Sequence, residues 1–490
     1  MVRARLRYEY VVAVVFVTGL FMEILDTTIV NVALPTLGRE FGVGTSSIEW
    51  VVIGYLLSLA VWIPASGWIG DKVGTKQTFL FAIGTFTVAS ALCGQAHSLG
   101  ELVAFRVLQG VGGGMMTPVG TAMLFRAFAP ERRAKASTVL IIPTVMAPAL
   151  GPVVGGLLVT QLSWRWIFYV NVPLGIVAFA FGFFFLREHR EPTAGPFDAA
   201  GFVLSGGGLA LVLYALSEGP FKGWRSPVVL GAAVAGIVAF ALLAWVELRQ
   251  PHPMLALRLF ADRMFRNANL ASLLSYSSFA GVLFIMPLFL QDLRGLTALQ
   301  SGLTTFPQAI GVLVSSQIAG RLYPSVGPRR LMVFGLVGAA CTVASFTQID
   351  LTTNLWWIRG LMFTRGMFMA FAFIPLQAAT YATITPVDTG RATAIFSTQR
   401  QVAAALGVAI SATVLATATQ LHLSSLASDR GPSAVSARVS AYHDVFAVSA
   451  VLALGAALVA LMIRDEDAAA TMRSRRRARV PDVEPSAVPG

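Results

Sequence analysis

Apolar runs of about twenty residues alternate with short polar segments along most of the chain. A run of about 20 apolar residues matches the hydrocarbon thickness of a bilayer. Because lipid offers no partner for backbone polar groups, such runs must be helices. The fourteen predicted spans cover residues 10–33, 48–69, 78–96, 99–125, 136–160, 165–186, 200–218, 226–247, 267–291, 299–321, 331–350, 354–378, 391–418 and 444–463.

A polar segment between the second and third spans, Gly67 to Gln77, has a weaker copy 253 positions later, Gly320 to Arg330. A repeat of this length predicts two related halves. Pairing the first six spans with the last six leaves two inserted spans between them. We therefore expect an all-α polytopic membrane protein with four parts along the chain. These are a six-helix bundle at 1–190, two inserted helices with linkers at 191–262, a second six-helix bundle at 263–465 and a disordered basic tail at 466–490.

Composition and charge support this interpretation and predict an orientation. Of the 490 residues, 56% are hydrophobic and 12% are charged, whereas soluble proteins carry about 25% charged residues. If both termini are cytoplasmic, 25 of the 36 Lys and Arg residues face inward, 8 face outward and 3 lie within spans. This asymmetry follows the positive-inside rule. It explains the net charge of +12 without nucleic acid as a partner, and the basic tail would lie near anionic lipid headgroups.

In that orientation the segment 420–443 is the longest outer loop, and it is polar and rich in serine. Nothing in the sequence indicates an enzyme, a metal site or a cofactor. The five histidines lie in loops or near span ends, without metal-ligand spacing. The glycine-rich segment 110–114 follows no strand and precedes no Lys-Ser/Thr pair, so it is not a phosphate loop. The protein must therefore use an energy source other than a nucleotide.

Two acids in the first span, Glu23 and Asp26, are costly in hydrocarbon and are therefore functional candidates. They are three residues apart and so lie near one helix face. Helix rise places Asp26 about 24 Å beyond Tyr10, at a depth similar to that of Arg106 in the fourth span. A desolvated carboxylate beside an arginine can bind and release protons. The alternative is a static ion pair between two helices, and Glu23 could instead face a neighbouring polar group.

The fifth span is rich in proline and glycine: Pro148, Gly151, Pro152, Gly155 and Gly156. These residues predict a bend and a flat face that another helix can approach closely. A packing kink without further function is the alternative.

Arginine also occurs within spans of the second half, at Arg365 and Arg400, each about 15 Å from its span end by helix rise. Each arginine either pairs with polar neighbours such as Gln399 and Gln401 or faces a cavity.

Five segments carry recognisable motifs: L-D-T-T-I-V-N-V-A-L-P at 25–35, G-W-I-G-D-K-V-G-T-K at 67–76, F-R-V-L-Q-G-V-G-G-G at 105–114, A-L-G-P-V-V-G-G at 149–156 and W-R-W-I-F-Y-V-N-V-P-L-G at 164–175. Together they resemble the major facilitator superfamily, and within it the fourteen-helix drug:proton antiporter branch of the EmrB/QacA type. The resemblance spans essentially the whole chain. The loop segment at 67–76 alone marks only the superfamily, whereas the five segments together are specific.

The resemblance implies that Asp26 is the proton-titrating carboxylate and Arg106 its partner; Glu23, on the same helix face, is a further candidate for proton coupling. It also implies that Gly151, Pro152, Gly155 and Gly156 form a bending face linked to antiport, together with Pro148 at its start.

For the loop between the second and third spans, the resemblance implies an inner gate formed by Gly67, Asp71, Gly74 and Lys76. Asp71 would hold this gate closed. The second copy of the loop has Pro324 at the position of Asp71, so the gate is expected to be asymmetric.

The function implied is proton-coupled export of amphipathic small molecules or drugs across the bacterial cytoplasmic (inner) membrane, by alternating access between two bundles. Gln109, Arg365, Gln399 and Arg400 are candidates for the lining of the substrate cavity. Because the second half supplies arginines and the tenth span has no acid, we expect monovalent cations or weak acids to be handled better than dications.

The expected partners are the small-molecule substrate, protons and the lipid bilayer, with a periplasmic adaptor and an outer-membrane channel as further candidates. A monomer without cofactors is expected. One alternative is a uniporter or importer of a metabolite, and another is a non-transporting membrane sensor or scaffold. The costly charges at Asp26 and Arg106 argue against a scaffold.

Overall fold

A computed structural model describes residues 7–127, 147, 150–190, 196–250, 253–385, 388–424 and 431–472. Within these residues the chain is almost entirely helical and contains no β-strand, which confirms the predicted all-α class. The long helices are numbered α1 to α14 in chain order.

The N-terminal half consists of α1 (Tyr8–Phe41), α2 (Trp50–Val73), α3 (Thr75–Gln95), α4 (Leu99–Ala127), α5 (Leu150–Gln161) and α6 (Trp166–Phe185). The inserted helices are α7 (Ala199–Lys222) and α8 (Pro227–Arg249). The C-terminal half consists of α9 (Arg263–Leu293), α10 (Pro307–Val326), α11 (Pro328–Ser345), α12 (Leu355–Thr380), α13 (Thr389–Ser424) and α14 (Pro432–Ala460). Shorter helices lie at Thr45–Ile48, Leu257–Ala261, Ala298–Thr305, Phe346–Gln348 and Ala469–Met472.

Eleven helices among the described residues are long and apolar enough to cross a membrane. The other three predicted spans also fall on helices, namely α4, the described part of the fifth span (α5), and the tenth span. A break between Thr305 and Pro307 divides the tenth span into a short helix and α10. Fourteen membrane crossings and cytoplasmic termini therefore stay predictions.

The expected polar loop at 420–443 is wrong in extent. Helix α13 continues to Ser424 and α14 already begins at Pro432. Proline at the first position of a helix is preorganised for helical φ. Hydropathy alone misses such polar helix ends, because they do not belong to an apolar run.

The two copies of the repeated loop adopt matching conformations. Gly74 has φ 119° and Gly327 has φ 87°, values that side chains other than glycine rarely adopt. Each loop leads into a helix whose first amide groups are bound by an acid from beyond the sixth helix of the same half. Glu188 accepts from Lys76 N at 3.0 Å, and Asp465 accepts from Arg329 N at 2.9 Å. The sequence repeat thus has a structural counterpart in its capping.

The hydrophobic core connects the halves at one end of the molecule. A single cluster fills the N-terminal half and continues into one end of the C-terminal half around Phe289, Phe346 and Phe446. We call this the Phe289 end, and the opposite end, which carries the repeated loops, the Gly74 end. At the Gly74 end the C-terminal half has a separate cluster that includes Met264 and Met332. The halves therefore share a core near the Phe289 end.

Candidate functional site

Asp26 lies at the centre of a buried polar network in the N-terminal half. Its side chain is fully buried on α1, and Arg106 on α4 is 1% exposed. Arg106 Nη1 lies 2.5 Å from Asp26 Oδ2, which makes this a buried ion pair. The sequence placed the two residues at similar depth, and the structure brings them into contact.

Two amide side chains complete the shell of Asp26. Gln109 Nε2 donates to Asp26 Oδ1 at 2.9 Å, and Asn171 Nδ2 from α6 donates to the same oxygen at 3.2 Å. Both amides also donate to Ser90 Oγ on α3 at 3.2 Å. Helices α1, α4 and α6 therefore meet at one carboxylate, and α3 joins them through Ser90. Every described group that hydrogen-bonds to the carboxylate oxygens is a donor.

Arg106 is fixed by further contacts on its other side. Its Nε donates to the carbonyl of Val51 at 3.0 Å, and its guanidinium lies 4.1 Å from the centre of the Tyr55 ring. Its Nη1 also donates to Gln109 Oε1 at 2.7 Å. A buried guanidinium needs a counter-charge and several acceptors, and this site supplies both. In this conformation the pair joins α1 to α4, as in the static alternative.

Glu23, one helical turn before Asp26, has a different environment. Its Oε2 accepts from Thr117 Oγ1 at 2.6 Å, and the residue is 6% exposed. It also lies close enough to Arg400 of α13 for the two charges to attract each other. Glu23 therefore faces the C-terminal half, whereas Asp26 is enclosed within its own half.

Arg400 and its neighbours form a partly open aromatic surface on the C-terminal half. Its guanidinium lies 5.9 Å from the Tyr276 ring, which stacks on Phe373 with centroids 4.4 Å apart. The adjacent Gln399 donates to the carbonyl of Asn269 at 3.0 Å. Aromatic rings beside one acid and one arginine suit an amphipathic guest.

Arg365 is 2% exposed and lies inside the C-terminal half. It donates to Gln308 Oε1 and, at 3.2 Å, to the carbonyl of Phe279. Among the described residues no carboxylate lies within ion-pair distance of Arg365. A cavity of about 20 Å³, which also contacts Ser275 and Ser278, adjoins it. Polar groups thus bind the arginine, but they are Gln308 and the Phe279 carbonyl rather than the expected Gln399 and Gln401.

Gln109, another candidate for the cavity lining, is fully buried between Asp26 and Ser90. It belongs to the shell of the carboxylate in this conformation.

The residues expected at the inner gate make their contacts within the N-terminal half. Asp71 pairs with Arg126 of α4 at 3.4 Å, and both side chains are about 40% exposed. Lys76 Nζ donates to the carbonyl of Phe183 at 2.8 Å. Gly67 faces open space, and Gly74 lies against the Glu188 carboxylate. Asp71 thus contacts a basic side chain at the end of a neighbouring helix, and its role in holding the gate closed stays a prediction.

The glycine face of α5 lies at the Phe289 end. A Cβ at Gly151 or Gly155 would meet α1 at Thr28 or Ile29, and one at Gly156 would meet the backbone of Ala298. The close approach predicted from small residues is therefore present, on both sides of α5. Pro148 lies outside the described residues.

Polar contacts join the halves at the same end. Pro152 lies against Gly302, and Leu299 N donates to Thr160 Oγ1 at 3.2 Å. Arg39 pairs with Asp292 at 3.3 Å, with exposed fractions of 61% and 38%. The two halves thus meet closely where the charge pattern predicts the outer side.

A family model of the Major Facilitator Superfamily matches residues 16–408. The chain belongs to the major facilitator superfamily. It is therefore a transporter rather than an enzyme, and the resemblance read from its motifs is confirmed.

Relatives of this transporter carry names from drug resistance. The multidrug resistance protein B homolog of Mycobacterium tuberculosis is 32% identical over 405 residues, which cover 80% of this chain and 74% of the relative. The putative multidrug resistance protein MdtD of Citrobacter koseri is 33% identical over 471 residues, covering 94% and 96%.

Solved structures share the fold. A bacterial homolog of the human lysosomal transporter Spinster, in an inward-facing and unoccupied conformation, matches this transporter with a TM-score of 0.65. The match covers 94% of this chain and 98% of the other at 15% identity.

Sequence reasoning missed Asn171 and Ser90, which contact Asp26 or its partners. Asn171 had a usable signal, since it is a polar residue inside the motif 164–175 at the start of an apolar run. Ser90 had none, because serine is common in membrane helices.

Proposed function

We propose that this transporter exports amphipathic small molecules or drugs across the cytoplasmic membrane in exchange for protons, by alternating access. The observation that carries the proposal is the enclosed Asp26–Arg106 pair with its two amide donors. A carboxylate that donors satisfy fully needs no proton in this conformation. Movement of α1 against α4 would remove those donors and make protonation favourable.

Substrate would enter between the halves, near Glu23 and the aromatic surface of Tyr276 and Phe373. Glu23 is the acid that faces the opposite half, and Arg400 already provides it with a positive charge. A cationic substrate would replace Arg400 as the positive charge beside Glu23. Substrate binding would therefore change the electrostatic potential around α1. The names of the multidrug-resistance relatives agree with a substrate of this class.

The close contacts at the Phe289 end support alternating access. With that end closed, entry would be from the Gly74 end, which the charge pattern predicts to be cytoplasmic. Rocking the halves about the substrate would then open the other side.

A susceptibility panel in a bacterial strain without its own drug exporters tests the proposal. Expression of the chain should raise tolerance to monovalent cationic amphiphiles at least fourfold, and a protonophore should abolish the gain. Glu101→Gln changes an exposed acid at the start of α4 that pairs only with His97 among the described residues, so it serves as a control and should keep the gain. Substrate accumulation instead of efflux would favour the importer alternative. Tolerance that survives the protonophore would show that the proton gradient does not drive the export and would contradict the proposal.

A further inference from the structure

The Gly74 end of the two inserted helices holds a pair of buried acids outside the transport site. Asp198 precedes the first residue of α7, and Glu247 lies in the last turn of α8. The two residues are 5% and 3% exposed. Neither belongs to a motif identified above.

Residues that follow α8 bind both acids. Asp198 Oδ1 accepts from Gln250 Nε2 at 3.1 Å, and its Oδ2 accepts from Met254 N at 3.2 Å. Glu247 Oε2 accepts from Leu255 N at 3.1 Å. The acids thus hold Gln250, Met254 and Leu255, which lie between the inserted helices and the C-terminal half.

One oxygen of the pair has no donor. Glu247 Oε1 is buried without a hydrogen-bond partner, although the two carboxyl groups are within hydrogen-bonding reach of each other. A Cβ at Gly201 would meet both Asp198 Oδ2 and Glu247 Oε1, so these two oxygens share the space beside that residue. Ionised carboxylates only accept hydrogen bonds. A bond between these two groups therefore requires a proton.

The charged side chains described around the pair do not replace that proton. Among the described residues no Lys, Arg or His forms an ion pair with either acid. On the neighbouring segments, the Arg249 guanidinium lies 4.3 Å from the Trp245 ring, and Arg258 pairs with Asp388 at 3.4 Å. Two buried carboxylates without a cation repel each other when both are ionised.

We propose that Asp198 and Glu247 share one bound proton, which forms a second protonation site separate from the Asp26 network. The shared proton fastens the Met254 and Leu255 amides to the two acids. When the pH rises far enough to remove it, the two carboxylates repel each other and these two amides are released.

The acid pair lies where loss of its proton would affect how the inserted helices connect the two halves. Helix α7 and the segment before it contact α2 of the N-terminal half through the ring pairs Phe202–Trp62 and Phe197–Trp68. The segment after 250–255 packs with Phe265 of the C-terminal half. The pair therefore lies between the contacts of the insert with one half and with the other. Its proton would adjust their linkage to the pH on that side of the membrane.

Hydrogen–deuterium exchange of the Met254 and Leu255 amides in the full chain, in lipid nanodiscs, tests the proposal. Rates are measured from pH 5.5 to 9 and divided by the intrinsic rate at each pH. Protection should be strong at low pH and fall at least tenfold across a single transition. Glu247→Gln should retain protection at all pH values, because its amide can donate to Asp198 permanently while its oxygen still accepts from Leu255. If that variant does not fold, Asp198→Asn should likewise remove the transition, read at Leu255.

Two controls isolate the pair. Glu218→Gln changes another acid of α7, one that pairs with Lys222, and should leave the wild-type transition in place. His252→Gln should also retain it, which excludes titration of that histidine as the cause. Protection that does not change with pH in the wild type, or a transition that persists in Glu247→Gln, would overturn the proposal. A transition displaced by added sodium or calcium chloride at constant ionic strength would assign the site to a metal cation instead, and would also overturn it.

Discussion

Each half of this transporter buries an arginine within a span, but the two arginines have different partners. Arg106 is paired with Asp26 at 2.5 Å and shares it with two amides. Arg365 has a glutamine and a backbone carbonyl, and no carboxylate among the described residues. A buried charge with a counter-charge can be uncoupled by a proton, whereas one that neutral groups satisfy cannot. The comparison favours the proposal that proton chemistry belongs to the N-terminal half, with Arg365 in a structural role.

The largest effect is expected from breaking the charged pair on one side. Arg106→Gln would leave Asp26 buried without a cation, which costs about 3–5 kcal/mol of folding stability. Adding Asp26→Asn should recover much of that loss, because the uncompensated charge is removed. Thermal unfolding of the two single variants and the double variant in detergent measures this coupling. Additive losses would show that the two residues do not act as a pair.

The second prediction separates the arginines of the C-terminal half. Arg400→Gln removes the positive charge facing Glu23 and should raise the efflux of dications relative to monocations about tenfold, equivalent to about 1.4 kcal/mol. Arg365→Gln should leave this ratio within about twofold, because Arg365 is bound by Gln308 and the Phe279 carbonyl inside the C-terminal half. Transport of a monovalent and a divalent cationic dye in vesicles gives both ratios. A selectivity change in Arg365→Gln alone would reverse the assignment.

A third prediction concerns the contact that closes the Phe289 end. A Cβ at Gly302 would meet the carbonyl of Pro152, so Gly302→Ala should destabilise the closed end by about 1–3 kcal/mol. Spin-label distances across that end should lengthen and broaden. Gly360→Ala on α12 is the matched control, because nothing lies within 4 Å of a Cβ there. Unchanged distances in Gly302→Ala would mean that this contact does not hold the end closed.

The smallest effect is expected at the inner-gate acid. Asp71 pairs with Arg126 at a half-exposed position, where such pairs contribute about 0–1 kcal/mol. Asp71→Asn should weaken the outward-open state only slightly, because the variant loses no more than this exposed ion pair. Labelling of a cysteine placed near the loop, from the cytoplasmic side, should rise less than threefold. A rise of more than tenfold would show that Asp71 bonds to the other half in the outward-open state.

Much of the fold and the central pair could be predicted from the sequence. Apolar length places the helices, and helix rise puts Asp26 and Arg106 at one depth. Contacts between distant segments could not be predicted in this way. Asn171, Ser90 and the capping acids Glu188 and Asp465 reach their partners only after several helices have packed. Likewise, equal depth could not show that Arg365 lies inside one half while Arg400 faces the other.

At the Gly74 end, ion pairs connect segments whose contacts could not be predicted from the apolar pattern. Asp388 lies between Arg258 and Arg391, each at 3.4 Å. Burial disfavours its charge, but the hydrogen bond from Thr385 and the Arg258 guanidinium hold the pKa of Asp388 below its usual value. Asp388 therefore stays ionised near neutral pH, paired with Arg258 and Arg391. By contrast, Asp198 and Glu247 have no such cation within the part of the chain that the structure describes.

Proton release during transport tests the central claim most directly. Proteoliposomes containing a trapped pH dye would receive a monovalent cationic amphiphile on the side from which it is exported, without a preset pH gradient. The account predicts that substrate movement drives protons in the opposite direction in the wild type. In Asp26→Asn, correctly folded by thermal unfolding, that proton flux should vanish. Equal proton flux in the wild type and in Asp26→Asn would contradict the role of Asp26, and substrate movement without any proton flux would contradict antiport itself.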